Sequence, residues 1–115
     1  MAAVQIFGKS KCFDTRKAER WFKERRIPFQ RVDLAQKGMS KGELLAVRRA
    51  LGNVEALLDS AHPDAALVHY LAGEEAQLEK LAERPELLHT PIVRCGKMAT
   101  VGYCPDTWKQ WPFTS

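Results

Sequence analysis

The sequence predicts a single α/β domain in which a small mixed sheet is flanked by helices. Three observations predict it. The first 34 residues read as strand, helix and strand, the middle of the chain carries only helical patterns, and two short strands return near the end. The 115 residues are 45% hydrophobic and 28% charged, which is typical of one globular domain. We therefore expect residues 1–115 to form one domain with a helical insert at about 40–88.

The N-terminal unit is predicted to be βαβ. Residues 4–8, VQIFG, form a short apolar run that ends at a glycine, which is typical of a buried strand. A helix from 13 to 26 has apolar residues at spacings of three and four: Ala18, Trp21 and Phe22. Pro28 ends the helix, and residues 29–34 read as a second strand. The short links imply a right-handed βαβ unit.

The insert and the C-terminal unit have different patterns. Ser40 and Glu43 form a capping-box signature that begins the first helix of the insert, which we expect to be helical throughout. Residues 91–95 and 98–101 then flank a Gly-Lys turn and predict a hairpin, with a last helix at about 105–111. The C-terminal unit is therefore ββα.

Charge is unevenly distributed along the chain, although the net charge is only +4. Residues 1–49 carry 13 lysines and arginines against 5 acids, whereas residues 50–90 carry 2 against 8. A basic half indicates either an anionic partner or a solvated basic helix face. Basic and aromatic residues are not interleaved as in base-stacking modules, so we expect no direct nucleic-acid binding.

The cysteines and the hydropathy of the sequence indicate in which cellular compartment the protein is expected. Three cysteines cannot pair completely, and their spacing does not resemble a zinc site, so we expect no metal. The sequence shows no secretory signal and no apolar run long enough for a membrane span. We expect a monomer in the reducing cytoplasm, with no membrane partner.

Cys12 is the strongest candidate for chemistry. It follows a predicted strand and turn and stands where a helix begins, so the helix dipole and free backbone N–H groups favour its thiolate. Lys9, Lys11 and Arg16 add positive charge nearby. We therefore predict a nucleophilic thiol whose pKa lies below its ordinary value; the alternative is a small apolar residue at a helix start.

The other two cysteines are predicted to differ from Cys12. Cys95 lies within a strand and is expected to be buried and unreactive. Cys104 precedes Pro105 in a predicted exposed loop. It is either a second redox thiol or a bystander.

Several segments together resemble the arsenate reductase (ArsC) and Spx family. They are the run from Ile6 to Ala18 around Cys12, then Trp21-Phe22, Ile27-Pro28-Phe29, Val32-Asp33, residues 85–93, Val101-Gly102-Tyr103 and Trp108. The resemblance spans nearly the whole chain. It implies a thioredoxin-like fold, with Cys12 as the redox thiol and Pro91 close to it in space. We expect a cis Thr90–Pro91 bond at this point.

The sequence departs from this family at functional positions. Arsenate reductases of the family hold the oxyanion with three arginines, and the corresponding positions here fall at Asp59, Thr90 and about Cys104. Spx-type regulators carry a second cysteine three residues from the first, where this chain has Lys9 and Thr15. Arsenate is therefore a doubtful substrate, and the Spx disulfide switch is absent.

The resemblance implies a thiol-dependent oxidoreductase in which Cys12 and Arg16 are catalytic. Lys9, Lys11, Thr90 and Pro91 are expected to bind the substrate, since the Thr-Pro element also resembles the glutathione-binding strand of glutaredoxin-like proteins. No cofactor is expected to be bound; glutathione or a protein thiol is the expected cosubstrate, and the partner is a small thiol or an oxidised protein. The alternatives are an Spx-like regulator that docks on a protein such as RNA polymerase, or a glutathione-dependent arsenate reductase.

Overall fold

A four-stranded mixed sheet lies at the centre of the structure, a computed structural model that describes residues 4–111. Its strands are β1 (Val4–Gly8), β2 (Phe29–Asp33), β3 (Ile92–Cys95) and β4 (Met98–Val101), in the order β2-β1-β3-β4. β1 is parallel to β2 and antiparallel to β3, and β3 pairs antiparallel with β4. The N-terminal βαβ unit and the C-terminal hairpin therefore meet where β1 pairs with β3, which confirms the predicted α/β class.

Five α-helices are found in the described residues: α1 (Phe13–Glu24), α2 (Lys41–Leu51), α3 (Ala65–His69), α4 (Glu74–Glu83) and α5 (Pro105–Trp108). Two short 3₁₀ turns lie at Glu55–Leu57 and Pro85–Leu87. None of these helices is long and apolar enough to cross a membrane.

Two helix ends differ from the prediction. α1 ends two residues before the predicted 26, because Arg26 adopts the left-handed region at φ 58° and turns the chain toward β2. α5 ends at Trp108 rather than 111. The Ser40–Glu43 capping box is present at the start of α2, as predicted.

The sheet separates two apolar cores, because successive strand residues point to opposite faces. On one face, Ile6 packs with the aromatic residues of α1 and α5: Trp21, Phe22 and Trp108. On the other face, Phe7 packs with leucines contributed by the insert: Leu44, Leu57, Leu81 and Leu87. The insert therefore covers one face of the sheet, and α1 with α5 covers the other.

The insert is not wholly helical, contrary to the prediction. Leu58 and Leu88 form an isolated antiparallel bridge, flanked by backbone hydrogen bonds from Asp59 to Leu87 and from His89 to Leu57, both of 2.8 Å. These bonds join the middle of the insert, at residues 57–59, to its end at residues 87–89. They fix the chain immediately before Thr90, which enters β3 beside the end of β1.

Candidate functional site

Cys12 is the N-cap residue of α1, one short turn after β1 ends. Its backbone N–H donates to the Lys9 carbonyl at 3.1 Å, which closes the turn. The side chain is half-buried. The sulfur is therefore accessible while lying against the positive end of a 12-residue helix.

Thr90 is brought to Cys12 by the pairing of β3 with β1, in which Ile92 lies opposite Phe7. The Thr90 hydroxyl donates a hydrogen bond of 3.0 Å to Cys12 Sγ. The Cys12 thiol in turn donates to the Thr90 carbonyl oxygen, at a distance of 3.7 Å. Thr90 is only 4% exposed, so this bond is shielded from water. The Thr90–Pro91 bond is cis, as predicted.

Thr15 is a site residue that sequence reasoning missed. It is the third residue of α1 and is 2% exposed, and its hydroxyl forms no hydrogen bond with any residue from 4 to 111. A buried hydroxyl without a partner is costly, which points to a role. Its position three residues after the N-cap was a signal, because that turn faces the capping side chain.

The environment of Cys12 lowers the pKa of its thiol. Burial is the largest single influence and raises the pKa, because it disfavours the charged form. The Thr15 and Thr90 hydroxyls and the backbone N–H groups of Thr15 and Asp14 lower it, and together they outweigh burial. The Cys12 side chain accepts no capping hydrogen bond from these N–H groups in the structure. The N–H groups are therefore donors that remain available to the thiolate.

The predicted cationic residues contact backbone carbonyls. Lys9 Nζ donates to the Glu86 carbonyl at 2.9 Å, and Arg16 Nη2 donates to the Ser10 carbonyl at 3.2 Å. Lys11 is exposed. The leading causes of the Cys12 pKa shift are burial and hydrogen bonds rather than these charges. The lysine and arginine thus brace the turn around the thiol, and their roles toward substrate stay predictions.

The three positions that the family resemblance assigns to the arsenate clamp hold no arginine. Asp59 lies at the Leu58–Leu88 bridge, where its carboxylate accepts a hydrogen bond from the Ala61 N–H. Thr90 faces the thiol, and Cys104 precedes α5. Arg84, which follows α4, is held instead by two carboxylates: Asp64 at 2.8 Å and Glu86 at 3.0 Å.

The remaining cysteines are less suited to nucleophilic attack. Cys95 is buried within β3, as predicted, and burial raises its pKa. Cys104 is half-buried rather than in an exposed loop, because its thiol turns inward and donates to the Val101 carbonyl at 3.4 Å. Burial and the nearby Asp14 carboxylate raise the pKa of Cys104, although the Thr100 hydroxyl lowers it.

Comparisons with known proteins agree with this geometry. The sequence model of the ArsC family matches residues 7–111. The global transcriptional regulator Spx 2 of Oceanobacillus iheyensis is 30% identical over 112 residues, which cover 94% of this chain and 82% of that protein.

Solved structures show the same fold. The arsenate reductase of Vibrio cholerae has a TM-score of 0.81 at 23% identity, with 92% of this chain and 94% of that chain covered. An ArsC-related protein from Bacteroides fragilis has a TM-score of 0.81 at 20% identity, with 93% and 95% covered. The thioredoxin-like fold expected from the sequence is therefore confirmed.

Proposed function

The chain belongs to the ArsC family, and on that premise we propose that it is a thiol-dependent oxidoreductase with one active cysteine. The observation that carries the proposal is the 3.0 Å hydrogen bond from the Thr90 hydroxyl to Cys12 Sγ. A donor aimed at a half-buried sulfur stabilises its thiolate, which is the reactive form.

The proposed reaction is thiol–disulfide exchange. The Cys12 thiolate attacks the glutathione sulfur of a mixed disulfide on a protein substrate, the substrate S–S bond breaks, and the substrate thiolate leaves and takes a proton from water. Cys12 is now joined to glutathione. The thiolate of a second glutathione attacks that glutathione sulfur, releases the Cys12 thiolate and forms oxidised glutathione. The net reaction consumes one glutathione and one mixed disulfide and yields one protein thiol and one oxidised glutathione, without a second cysteine in the enzyme.

Arsenate fits the site less well. A phosphate-like oxyanion that loses hydration must regain it from fixed donors, and a charge-assisted hydrogen bond contributes roughly 1.5–3 kcal/mol. The clamp positions offer a carboxylate, a hydroxyl and a thiol, at Asp59, Thr90 and Cys104. We expect weak or no arsenate reduction by the wild type when glutathione and glutaredoxin are supplied. Faster arsenate reduction by Thr90→Arg would show that the wild type lacks the arginine clamp rather than the nucleophile.

The test is reduction of a glutathionylated protein with glutathione, followed through the consumption of NADPH by glutathione reductase. Wild type and Cys95→Ser should turn over, whereas Cys12→Ser should not. Equal rates with Cys12→Ser and wild type would refute the enzyme proposal.

A regulatory function is the second candidate, and the 30% identity to the regulator Spx 2 favours it. In that case the domain would dock on a protein such as RNA polymerase without needing a reactive thiol. A stable complex with a purified protein partner that is unchanged in Cys12→Ser would support the regulator. Loss of the complex in that variant would support the enzyme.

A further inference from the structure

A row of cations runs along α1 from the active cysteine. Arg16, Arg20 and Lys23 follow Cys12 at spacings of four, four and three residues, so all four lie on one helix face. The three cationic side chains are exposed. With Arg31 of β2 they line an open groove of about 390 Å³ between α1 and the sheet edge, whose other lining residues are Glu19 and Phe29.

The charge of this groove is largely uncompensated. Glu19 is paired with Arg31 at 3.0 Å, while Arg20 and Lys23 form no ion pair with any residue in the described range 4–111. Like charges four residues apart destabilise a helix, so the fold gains nothing from the row. A groove with two free cations along the helix that begins after Cys12 has the charge to hold an anion.

The acidic insert does not neutralise the groove, because its carboxylates are bound elsewhere. Glu74 pairs with Arg48 at 2.9 Å, and Lys41 contacts both Glu75 and Glu79 at 2.9 and 3.0 Å. Part of the negative charge of residues 50–90 is therefore paired with cations of α2. Four of the 13 cations of residues 1–49 lie on α1, and three of these four line the groove.

The sheet edge beside the groove is suited to a polypeptide. β2 is an edge strand and pairs only with β1 among the described residues, so its outer backbone groups can bond an added strand. Nucleic acid cannot use alternating backbone N–H and C=O groups in this way. Phe29 is the one aromatic residue lining the groove, so a base-stacking platform is not formed there.

We infer that the α1–β2 groove binds an acidic, extended polypeptide segment that flanks the oxidised cysteine of a protein substrate. This inference rests on the proposed function and names its substrate class. From residue 12 to residue 23 a helix rises about 16 Å at 1.5 Å per residue. That length equals about five residues of extended chain, so the acidic residues should lie within about five positions of the substrate cysteine.

The test uses two peptides whose single cysteine is linked to 2-thiopyridine, which absorbs light when it is released. One peptide has glutamates beside the cysteine and the other has glutamines in their place. At about 0.01 M salt the reduced protein should release thiopyridone about tenfold faster from the glutamate peptide, and at about 1 M salt the two rates should converge. Equal rates at low salt would overturn the inference.

Matched charge-reversal variants locate the effect. R20E/K23E should abolish or invert the preference for the glutamate peptide. R49E/K97E changes the net charge equally at exposed cations outside the groove and should keep the preference. An unchanged preference in R20E/K23E would overturn the assignment. The salt dependence of wild type tests the inference even if R20E/K23E fails to fold.

A binding experiment separates this inference from the proposed function. If neither peptide nor 2-hydroxyethyl disulfide is reduced, the proposed function fails, and the groove is then tested with a cysteine-free glutamate peptide carrying a fluorophore. Salt-sensitive binding that is lost in R20E/K23E supports the inference. No binding, or tighter binding of a single-stranded oligonucleotide of equal charge, overturns it.

Discussion

Cys12 and Cys104 occupy equivalent local positions with opposite consequences. Each is the residue before a helix and each follows a strand by a short turn. The pKa of Cys12 is lowered, because hydrogen-bond donors outweigh burial, while the pKa of Cys104 is raised, mainly by burial. α5 has only four residues, and the Cys104 thiol donates a hydrogen bond to the Val101 carbonyl.

The comparison teaches that a helix N-terminus alone does not activate a cysteine. Two buried hydroxyls lower the pKa of Cys12: that of Thr90, just before β3, donates to its sulfur, and that of Thr15, in α1, has no hydrogen-bond partner elsewhere among residues 4–111. Cys104 has one hydroxyl, from Thr100, and the negative charge of the Asp14 carboxylate raises its pKa. The number and sign of the groups around the sulfur decide which thiol ionises.

The largest expected effect comes from replacing the sulfur of each of the two cysteines with oxygen. Cys12→Ser should lower turnover of a glutathionylated protein by about 10³-fold or more, because a serine hydroxyl in this site is not ionised. Cys104→Ser should retain activity within about twofold, because nothing in the proposed exchange needs a second thiol. A loss in Cys104→Ser equal to that in Cys12→Ser would mean that the two cysteines act together.

Removing the hydroxyls should make Cys12 resemble Cys104. Thr90→Val and Thr15→Val each delete one donor while keeping the side-chain shape. The pKa of Cys12 should rise, and its alkylation rate at neutral pH should fall by about threefold to tenfold for each hydroxyl removed. The fall is limited because a thiolate with a higher pKa is a stronger nucleophile, which partly offsets the smaller fraction of Cys12 that is ionised. The exposed Thr107 provides the control, and Thr107→Val should leave the rate unchanged.

Thr15→Val carries a second expectation about stability. The Thr15 hydroxyl has no hydrogen-bond partner in the described part of the chain, so its removal should not lower the free energy of unfolding. Urea denaturation measures this. A loss of more than about 1 kcal/mol would show that the hydroxyl is structural rather than kept for the thiolate.

Gly8→Ala should disturb the Cys12 site by displacing Thr15. A Cβ at position 8 would clash with the Thr15 side chain. We expect a loss of about 1–3 kcal/mol in the free energy of unfolding, together with a rise in the Cys12 pKa. Gly42→Ala is the matched control, since its Cβ would meet only the Ser40 hydroxyl at 3.9 Å, and it should be neutral or stabilising. Equal destabilisation by both changes would contradict the packing argument.

The smallest effect is the dependence of stability on pH. The folded state lowers the pKa of Cys12, so this thiol contributes stability above its unfolded pKa and loses it as pH falls through its folded pKa. Cys104 has a raised pKa, so it contributes below its unfolded pKa and loses this as pH rises through its folded pKa. Relative to wild type, Cys12→Ser should therefore lose stability as pH rises from 7 toward 9, whereas Cys104→Ser should gain over the same range. Chemical denaturation at several pH values checks these opposite slopes.

Local patterns were sufficient to predict the main elements of the fold. The βαβ unit, the hairpin and the position of Cys12 at the start of α1 depend on periodicity and on turn residues close in sequence. The cis Thr90–Pro91 bond followed from the family resemblance. The bridge between Leu58 and Leu88 was missed, because pairing of segments 30 residues apart leaves no local pattern.

Side-chain direction was the less predictable part of the site. Lys9 and Arg16 are near Cys12 in sequence, yet their charged groups bond the carbonyls of Glu86 and Ser10, since long flexible side chains follow the acceptors that tertiary contacts supply. The orientation of the Thr90 hydroxyl depends on the pairing of β3 with β1. The donors that activate Cys12 therefore required the structure.

The most direct test of the account is the pH dependence of alkylation at each cysteine, measured with iodoacetamide and resolved by mass spectrometry. We predict that Cys12 reacts with a midpoint below the ordinary pKa of a cysteine thiol, and that Cys104 and Cys95 have midpoints above it. A midpoint for Cys12 at or above the ordinary value, or one equal to that of Cys104, would contradict the claim that the Thr15 and Thr90 hydroxyls make Cys12 the reactive thiol.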